Sequence, residues 1–334
     1  MTPNAYAHLE NSTVRIDVER EMKLRVPLHH VGSLVVFGNA MISPALIHRL
    51  ADEGKSLVLL DDTGRFKARM EGPVTGNILL RQAQHRRGDD GAFALEFARS
   101  IVAGKLKNSR SVVLRGARET SDPGEAAILT RVADDLAASL RAAKQAADLD
   151  ALRGVEGEAA RGYFAALNLI IKPQMRHAFA LKGRTRRPPL DRSNALVSFL
   201  YALLMNDCRS ALESVGLDPQ VGFLHAVRPG RAALALDLQE EFRSILADRL
   251  ALTLVNRGQV AEGDFDIREG GAVLLNDIGR RKVVTAWQQR KQEEVTHILV
   301  GRKLPLALLP FVQARFMART LRGEMECYLP YVAK

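Results

Sequence analysis

Cysteine is almost absent: Cys208 and Cys327 are the only two in 334 residues, far apart and without paired spacing. That excludes a disulfide framework and a zinc knuckle, and both thiols are expected to be buried and free. Aromatic residues make up only 5% of the chain, too few for a base-stacking platform. Tyr163, Tyr201 and Trp287 are therefore expected in the core, and any nucleic acid would be held through backbone and shape. No segment approaches the roughly 18 apolar residues of a membrane span, and the amino terminus lacks a basic start followed by an apolar run. The expectation is a cytoplasmic protein with no membrane partner. There is no Gly-x-Ser-x-Gly elbow, no Walker loop and no Gly-x-Gly-x-x-Gly turn, which removes the usual signs of a serine nucleophile or a bound nucleotide. Acidic residues are outnumbered, 38 against 48 basic, for a formal charge of +10. That excess favours a polyanionic partner such as nucleic acid, although solubility alone also accounts for it.

At this length a single core is not expected to keep growing, so two domains are anticipated. The pattern reads as an α+β chain: a small β-rich domain over residues 1–76, a linker with the first helix over 77–92, and a larger all-α domain over 93–334. Short alternating runs predict strands at 5–9, 13–18, 24–26, 34–37, 57–60 and 66–70. One helix interrupts them, with Ser43 as N-cap, Pro44 at its first position and Gly54 as its stop. Helical periodicity then predicts helices near 77–86, 92–106, 124–146, 149–170, 193–214, 237–257, 277–299 and 304–322. A basic segment from Lys172 to Arg192 and a loop from Gly216 to Leu236 interrupt that series.

At about 100° per residue, Glu156 falls on the helical stripe of Leu152, Ala159, Ala160, Tyr163, Leu167 and Ile170, while Glu158 falls opposite. A carboxylate on an apolar face must be protonated, paired or bound to a cation. Asp237, Glu240 and Glu241 share one helical face at i, i+3 and i+4. They could simply complement a helix N-terminus, but His225, after Gly222-Phe-Leu, can fold back beside them. Mixed carboxylate and imidazole ligands suit Mg2+ or Mn2+ better than structural zinc, and such a cation implies phosphate-ester chemistry. The basic segment, with Lys172, Arg176, Lys182, Arg184, Arg186, Arg187 and Arg192, reads either as a phosphate-tracking loop or as a solvated one. Arg228, Arg231 and Arg243 add charge nearby.

Four blocks in order carry a resemblance: Gly154-Val-Glu-Gly-Glu-Ala-Ala-Arg-Gly-Tyr-Phe164, Arg187-Pro-Pro-Leu-Asp-Arg-Ser-Asn-Ala-Leu-Val-Ser198, Gly216 through His225, and Leu234-Ala-Leu-Asp-Leu-Gln-Glu-Glu-Phe-Arg243. Gly64 to Arg69, Thr75 to Arg81 and Tyr328-Leu-Pro-Tyr331 extend it over nearly the whole chain. The sequence resembles the CRISPR-associated adaptation integrase, the spacer-acquisition endonuclease, most closely in the branch that accompanies subtype I-C systems. The resemblance implies an amino-terminal β domain for dimerisation, a helical catalytic domain, and Mg2+ or Mn2+ on Glu156, His225 and Glu240, with Asp237 supporting the site. It implies DNA contacts at Arg81, Asn194 and Arg243, and an assembly in which a small companion protein bridges two homodimers. The expected reaction joins the 3′ hydroxyl of a captured DNA fragment to a CRISPR repeat by transesterification. A metal-dependent nuclease using water as nucleophile is the first alternative, and a non-catalytic DNA-binding scaffold the second.

Overall fold

The computed structural model describes residues 5–61, 66–70, 78–181, 183–185 and 188–333. The chain forms two compact units, Met1–Thr75 and Gly76–Lys334. The first contains β1 (Ala5–Glu10), β2 (Thr13–Val18), β3 (Glu21–Pro27), β4 (Ser33–Phe37), β5 (Met41–Ile42), α1 (Pro44–Asp52), β6 (Ser56–Leu60) and β7 (Phe66–Met70). Its two sheets have the orders β3-β2-β1-β5 and β4-β6-β7. β5 escapes a periodicity argument because two residues carry no period, yet it pairs in parallel with β1 through Tyr6–Met41 and Ala7–Ile42. Alternation buries Ala7, Val14, Val36 and Leu57 against Leu46 and Leu50 of α1, as a two-residue side-chain period requires. The Ser43 hydroxyl caps α1, accepting from Leu46 N at 3.2 Å. Gly54 ends the turn at φ +63°, a conformation that favours glycine.

The second unit begins with α2 (Ile78–Asp89), α3 (Gly91–Glu119), α4 (Pro123–Gln145) and α5 (Leu149–Ile170), followed by α6 (Pro173–Phe179) and α7 (Arg192–Ser214). Asp90, Asp122 and Asp148 cap α3, α4 and α5 with their carboxylates, each satisfying backbone donors that a first turn leaves unpaired. α3 runs well past the expected end near 106. Within it Gly104 is a point of close approach: a Cβ there would lie 2.6 Å from Pro330 Cβ. The basic segment is partly ordered into α6, where Arg176 forks onto Glu125 at 2.5 and 2.9 Å, so that cation serves packing.

The helix expected over 237–257 is three pieces: α8 (Ala233–Glu240), a π-helical turn over Arg243–Asp248, and α9 (Arg249–Asn256). α8 therefore starts before Asp237, and the acids lie beyond its first turn, where a dipole argument has little weight. Two hairpins also sit among the helices: β8 (Phe265–Ile267) with β9 (Val273–Leu275), and β10 (Glu294–His297) with β11 (Arg302–Pro305). α10 (Asp277–Gln292) accordingly ends before 299, and α11 (Leu309–Leu321) starts after 304. The apolar run Ile298-Leu299-Val300 mimics continued helix in the sequence but forms a turn. The carboxy-terminal domain is thus helical with two small sheets, a correction to its all-α reading. Cys208 is buried as expected, but Cys327 is exposed, because its segment runs over the surface beyond α11. No helix among the described residues is long and apolar enough to cross a membrane.

The loop before α8 is held from several sides. Gln84 of α2, fully buried, donates to Asp218 O at 2.8 Å and Val221 O at 2.9 Å and accepts from Asp218 N at 2.9 Å. Leu234 N donates to Pro219 O at 2.9 Å. A Cβ at Gly222 would lie 2.6 Å from the carbonyl carbon of Ala233 and 2.8 Å from Leu234 N. Gly222→Ala should therefore push the loop off α8 and lower the denaturant unfolding free energy by about 1–3 kcal/mol. An unchanged midpoint would show that the loop can shift without cost.

Candidate metal centre

Asp237 gathers the loop around one carboxylate. Its Oδ2 accepts from Phe223 N at 2.6 Å and Leu224 N at 3.1 Å, and its Oδ1 from His225 N at 3.0 Å and His225 Nδ1 at 2.6 Å. Arg153 of α5 adds a bond from Nε to Leu224 O at 2.7 Å, and Phe223 packs on Phe97 with ring centroids 4.5 Å apart. Nδ1 is tied to the Asp237 carboxylate, which turns Nε2 toward the site. Nε2 lies 3.7 Å from Glu240 Oε1. A carboxylate that orients one ring nitrogen while the other points into a site is the usual support for a metal-binding histidine.

Glu240 is 2% exposed and sits among cations: Arg243 pairs with its Oε1, and Lys105 Nζ lies 2.7 Å from its Oε2. Oε2 nevertheless receives no well-aligned hydrogen bond. Burial raises the pKa of this carboxyl, but the charges of Arg243 and Lys105 outweigh that and hold it below its ordinary value. Glu156 projects from α5 toward the same place, a quarter exposed, and its carboxylate pairs with Lys105. The flanking positions Leu152, Ala159, Tyr163 and Leu167 are buried, and Glu158 is exposed, as the helical stripe requires. One ammonium group therefore bridges Glu156 and Glu240.

Among the described residues, no group of three or more histidine, cysteine, aspartate or glutamate side chains is arranged to hold a metal ion as it stands, since Lys105 fills the gap between the carboxylates. The donor chemistry still fits a hard divalent cation: two carboxylates, an imidazole whose Nε2 faces the site, and a buried Glu240 oxygen with no aligned hydrogen bond and only the Lys105 ammonium beside it. A groove of about 430 Å³ opens beside Glu156, lined also by Arg161, Phe164, Asn168 and Arg184, so the carboxylate can be reached from outside.

Residues 1–289 match the family model described as CRISPR associated protein Cas1. The chain belongs to the Cas1 family. A relative from Moorella thermoacetica, CRISPR-associated endonuclease Cas1 1, is 54% identical and covers 99% of this chain and 96% of its own. A CAS1 protein from Thermotoga maritima shares the fold with a TM-score of 0.83 at 24% identity, over 98% of this chain and 97% of that one. A casposase solved bound to an integration product gives 0.81 at 22% identity, over 98% and 91%. By its Cas1 family membership the chain is a CRISPR-associated endonuclease.

Within this Cas1 fold the arginines and the asparagine read as DNA contacts separate into groups. Arg228 is exposed, and Arg231 is half-buried on the same loop. Arg81 is half-buried, its Nε 3.4 Å from Gly216 O. Arg184 donates to Thr185 O at 2.7 Å, Asn194 Oδ1 at 2.8 Å and Ser198 Oγ at 3.1 Å, and lies over the rings of Phe164 and Tyr201. Asn194 is fully buried. Its amide bonds Thr185 N, Gly183 O and Asp191 Oδ2, so it ties the loop to α7 and offers DNA no free face. Arg243 faces inward, bonded to Glu240 and to Gln239 and stacked 4.9 Å over Tyr201. Arg186 and Arg187 lie outside the described residues.

Lys105 gives no sequence signal, because a lysine in a long helix usually reads as solvated. Asp248 is equally silent, yet the π-helical turn brings it inside, where it accepts from Tyr163 OH at 3.0 Å. Burial raises its carboxyl to about 6, opposed by hydrogen bonds from Tyr201 and Tyr163. A raised folded-state pKa stabilises the fold fully below the unfolded value near 3.8 and loses that contribution as pH rises through about 6. Asp248→Asn should remove a loss of about 2–3 kcal/mol from the unfolding free energy between pH 4 and 7. Identical pH slopes for the two proteins would contradict the raised value.

Proposed function

We propose that this endonuclease joins the 3′ hydroxyl ends of DNA fragments to a CRISPR repeat by transesterification, with Mg2+ or Mn2+ held by Glu156, His225 and Glu240. The observation that carries the reading is the bridged pair: Glu156 from α5 and Glu240 from α8 converge on one cation, Lys105, beside a histidine whose ring is oriented by Asp237. A bound divalent ion supplies Lewis-acid polarisation of the target phosphodiester. Asp237 holds the His225 ring at a fixed angle and Arg243 holds Glu240 ionised, so the change that would admit an ion centres on Lys105, which sits between Glu156 and Glu240. Lys105, once displaced from the carboxylates, leaves a positive charge beside the reacting phosphate, where charge develops.

The reaction balances without a nucleotide. The attacking 3′ oxygen forms a bond to phosphorus and loses its proton, the bond from that phosphorus to the target 3′ oxygen breaks, and the departing oxygen is protonated. Water in place of the sugar hydroxyl gives simple cutting, the second reading, and the product distinguishes them. The full proposal includes DNA as substrate and target, a homodimer formed through the amino-terminal unit, a small companion protein bridging two dimers, a cytoplasmic location, and membership of the subtype I-C branch. It is supported by the four sequence blocks and the excess of basic residues.

With a repeat-bearing supercoiled plasmid, a short duplex with 3′ hydroxyl ends and the companion protein, Glu156→Ala should lower the metal-dependent joined product by about 100-fold or more while the protein stays folded. Joined product at wild-type yield would overturn the assignment, and cut strands without joined ones would favour hydrolysis. Lys105→Met removes the competing ammonium and should tighten Mn2+ binding measured by calorimetry about tenfold, or ~1.4 kcal/mol. Equal affinity would show that Lys105 does not occupy the cation position.

A further inference from the structure

We propose that the turn at the tip of the β10–β11 hairpin is a wedge that enters duplex DNA, placing aliphatic side chains between base steps with Arg302 and Lys303 on the flanking phosphates. Ile298, Leu299 and Val300 follow one another in that turn and are 54%, 48% and 39% exposed. Turns favour polar residues and glycine, and three contiguous exposed aliphatics there mark a contact surface. The tip is not loose. Gly301 closes it at φ +68°, and its N–H donates to His297 O at 2.8 Å. His297 is 1% exposed, with Nε2 3.2 Å from Gln313 Oε1, and Leu304, paired with Val295, is buried. The hairpin is thus anchored at its base and presents a rigid apolar point.

Charge selects the occupant. Arg302 and Lys303 are exposed beside the tip and form no ion pair among the described residues, while the hairpin's acid, Glu294, lies at the opposite end of the ladder. The trio contains no aromatic residue, unlike the cores of protein interfaces. An aliphatic wedge flanked by cations is how proteins unstack and bend duplex DNA through the minor groove. The hairpin also joins the carboxylate helix: Gln313, which meets His297, donates to Glu241 Oε2 at 3.0 Å, the residue after Glu240. The inference rests on the proposed action on DNA.

The test uses the full chain with chelator present and duplex repeat DNA carrying 2-aminopurine at successive positions. Binding of the wild-type protein should raise fluorescence at one step. The Ile298→Ser, Leu299→Ser, Val300→Ser triple variant, altered only at exposed positions and checked by thermal unfolding, should lose the rise. Arg302→Ala with Lys303→Ala should lower the slope of log affinity against log salt by about two. A rise retained in the triple variant, or none at any position with the wild type, overturns the wedge. So does a changed sedimentation coefficient of the free triple variant, which would assign the tip to a protein interface. Metal-dependent joining into a pre-nicked, gapped target by the triple variant, which needs no unstacking, would leave the enzymatic reading standing whatever the fluorescence shows.

Discussion

A single buried carboxylate organises the centre. Asp237 accepts four hydrogen bonds from the segment Phe223 to His225, and an ionised acceptor makes each stronger than a neutral one would. These bonds satisfy three consecutive backbone N–H groups, fix the loop against α8, and turn the histidine Nε2 toward the site. Removal of that carboxylate would free the loop and the ring together. Gln84, Arg153 and the close approach at Gly222 reinforce the same arrangement from α2, α5 and the start of α8.

Around this tie the charges are balanced locally. Two carboxylates that would repel each other are joined by Lys105, and Arg243 neutralises the buried one from the other side. The third acid, Glu241, has a separate task. It accepts from Tyr328 OH, Gln313 Nε2 and Tyr331 N, so it fastens the carboxy-terminal strap over α3, where Asn108 also bonds Tyr331 O and Ala333 N at 2.8 and 2.9 Å. Burial raises Glu241 to about 7 against those bonds. Adjacent glutamates thus face different environments, because the helix ends at Glu240 and the π-helical turn follows. Such turns recur where a helix must aim side chains at a functional site.

Much of the site was legible in sequence because its signals are local. Glu156 stands out against an apolar stripe that the structure buries, and the spacing from His225 to Glu240 contains a turn short enough to bring them together. The helix at Pro44–Asp52 was equally readable, since Ser43 acts within three residues of its partner; Asp90, Asp122 and Asp148 act over the same short range as caps but emerge only from the structure. What the sequence hid depends on distant contacts. Lys105 matters only because α3 passes between α5 and α8, and the close approach of Pro330 at Gly104 joins residues far apart in the chain. Asn194 and Arg243 look like available polar groups, yet long-range packing turns both inward. The β10–β11 hairpin was obscured by its aliphatic tip, which extends a helical pattern past the true end of α10.

Pulsed electron paramagnetic resonance of the Mn2+-loaded protein tests the central claim most directly, because it reports nitrogen bound to the ion without needing turnover. Coupling to a single imidazole nitrogen is expected, absent in His225→Gln and altered in Asp237→Asn, where the ring loses its anchor. Wild-type protein that binds Mn2+ with no nitrogen coupling, or with coupling that survives in His225→Gln, would contradict it.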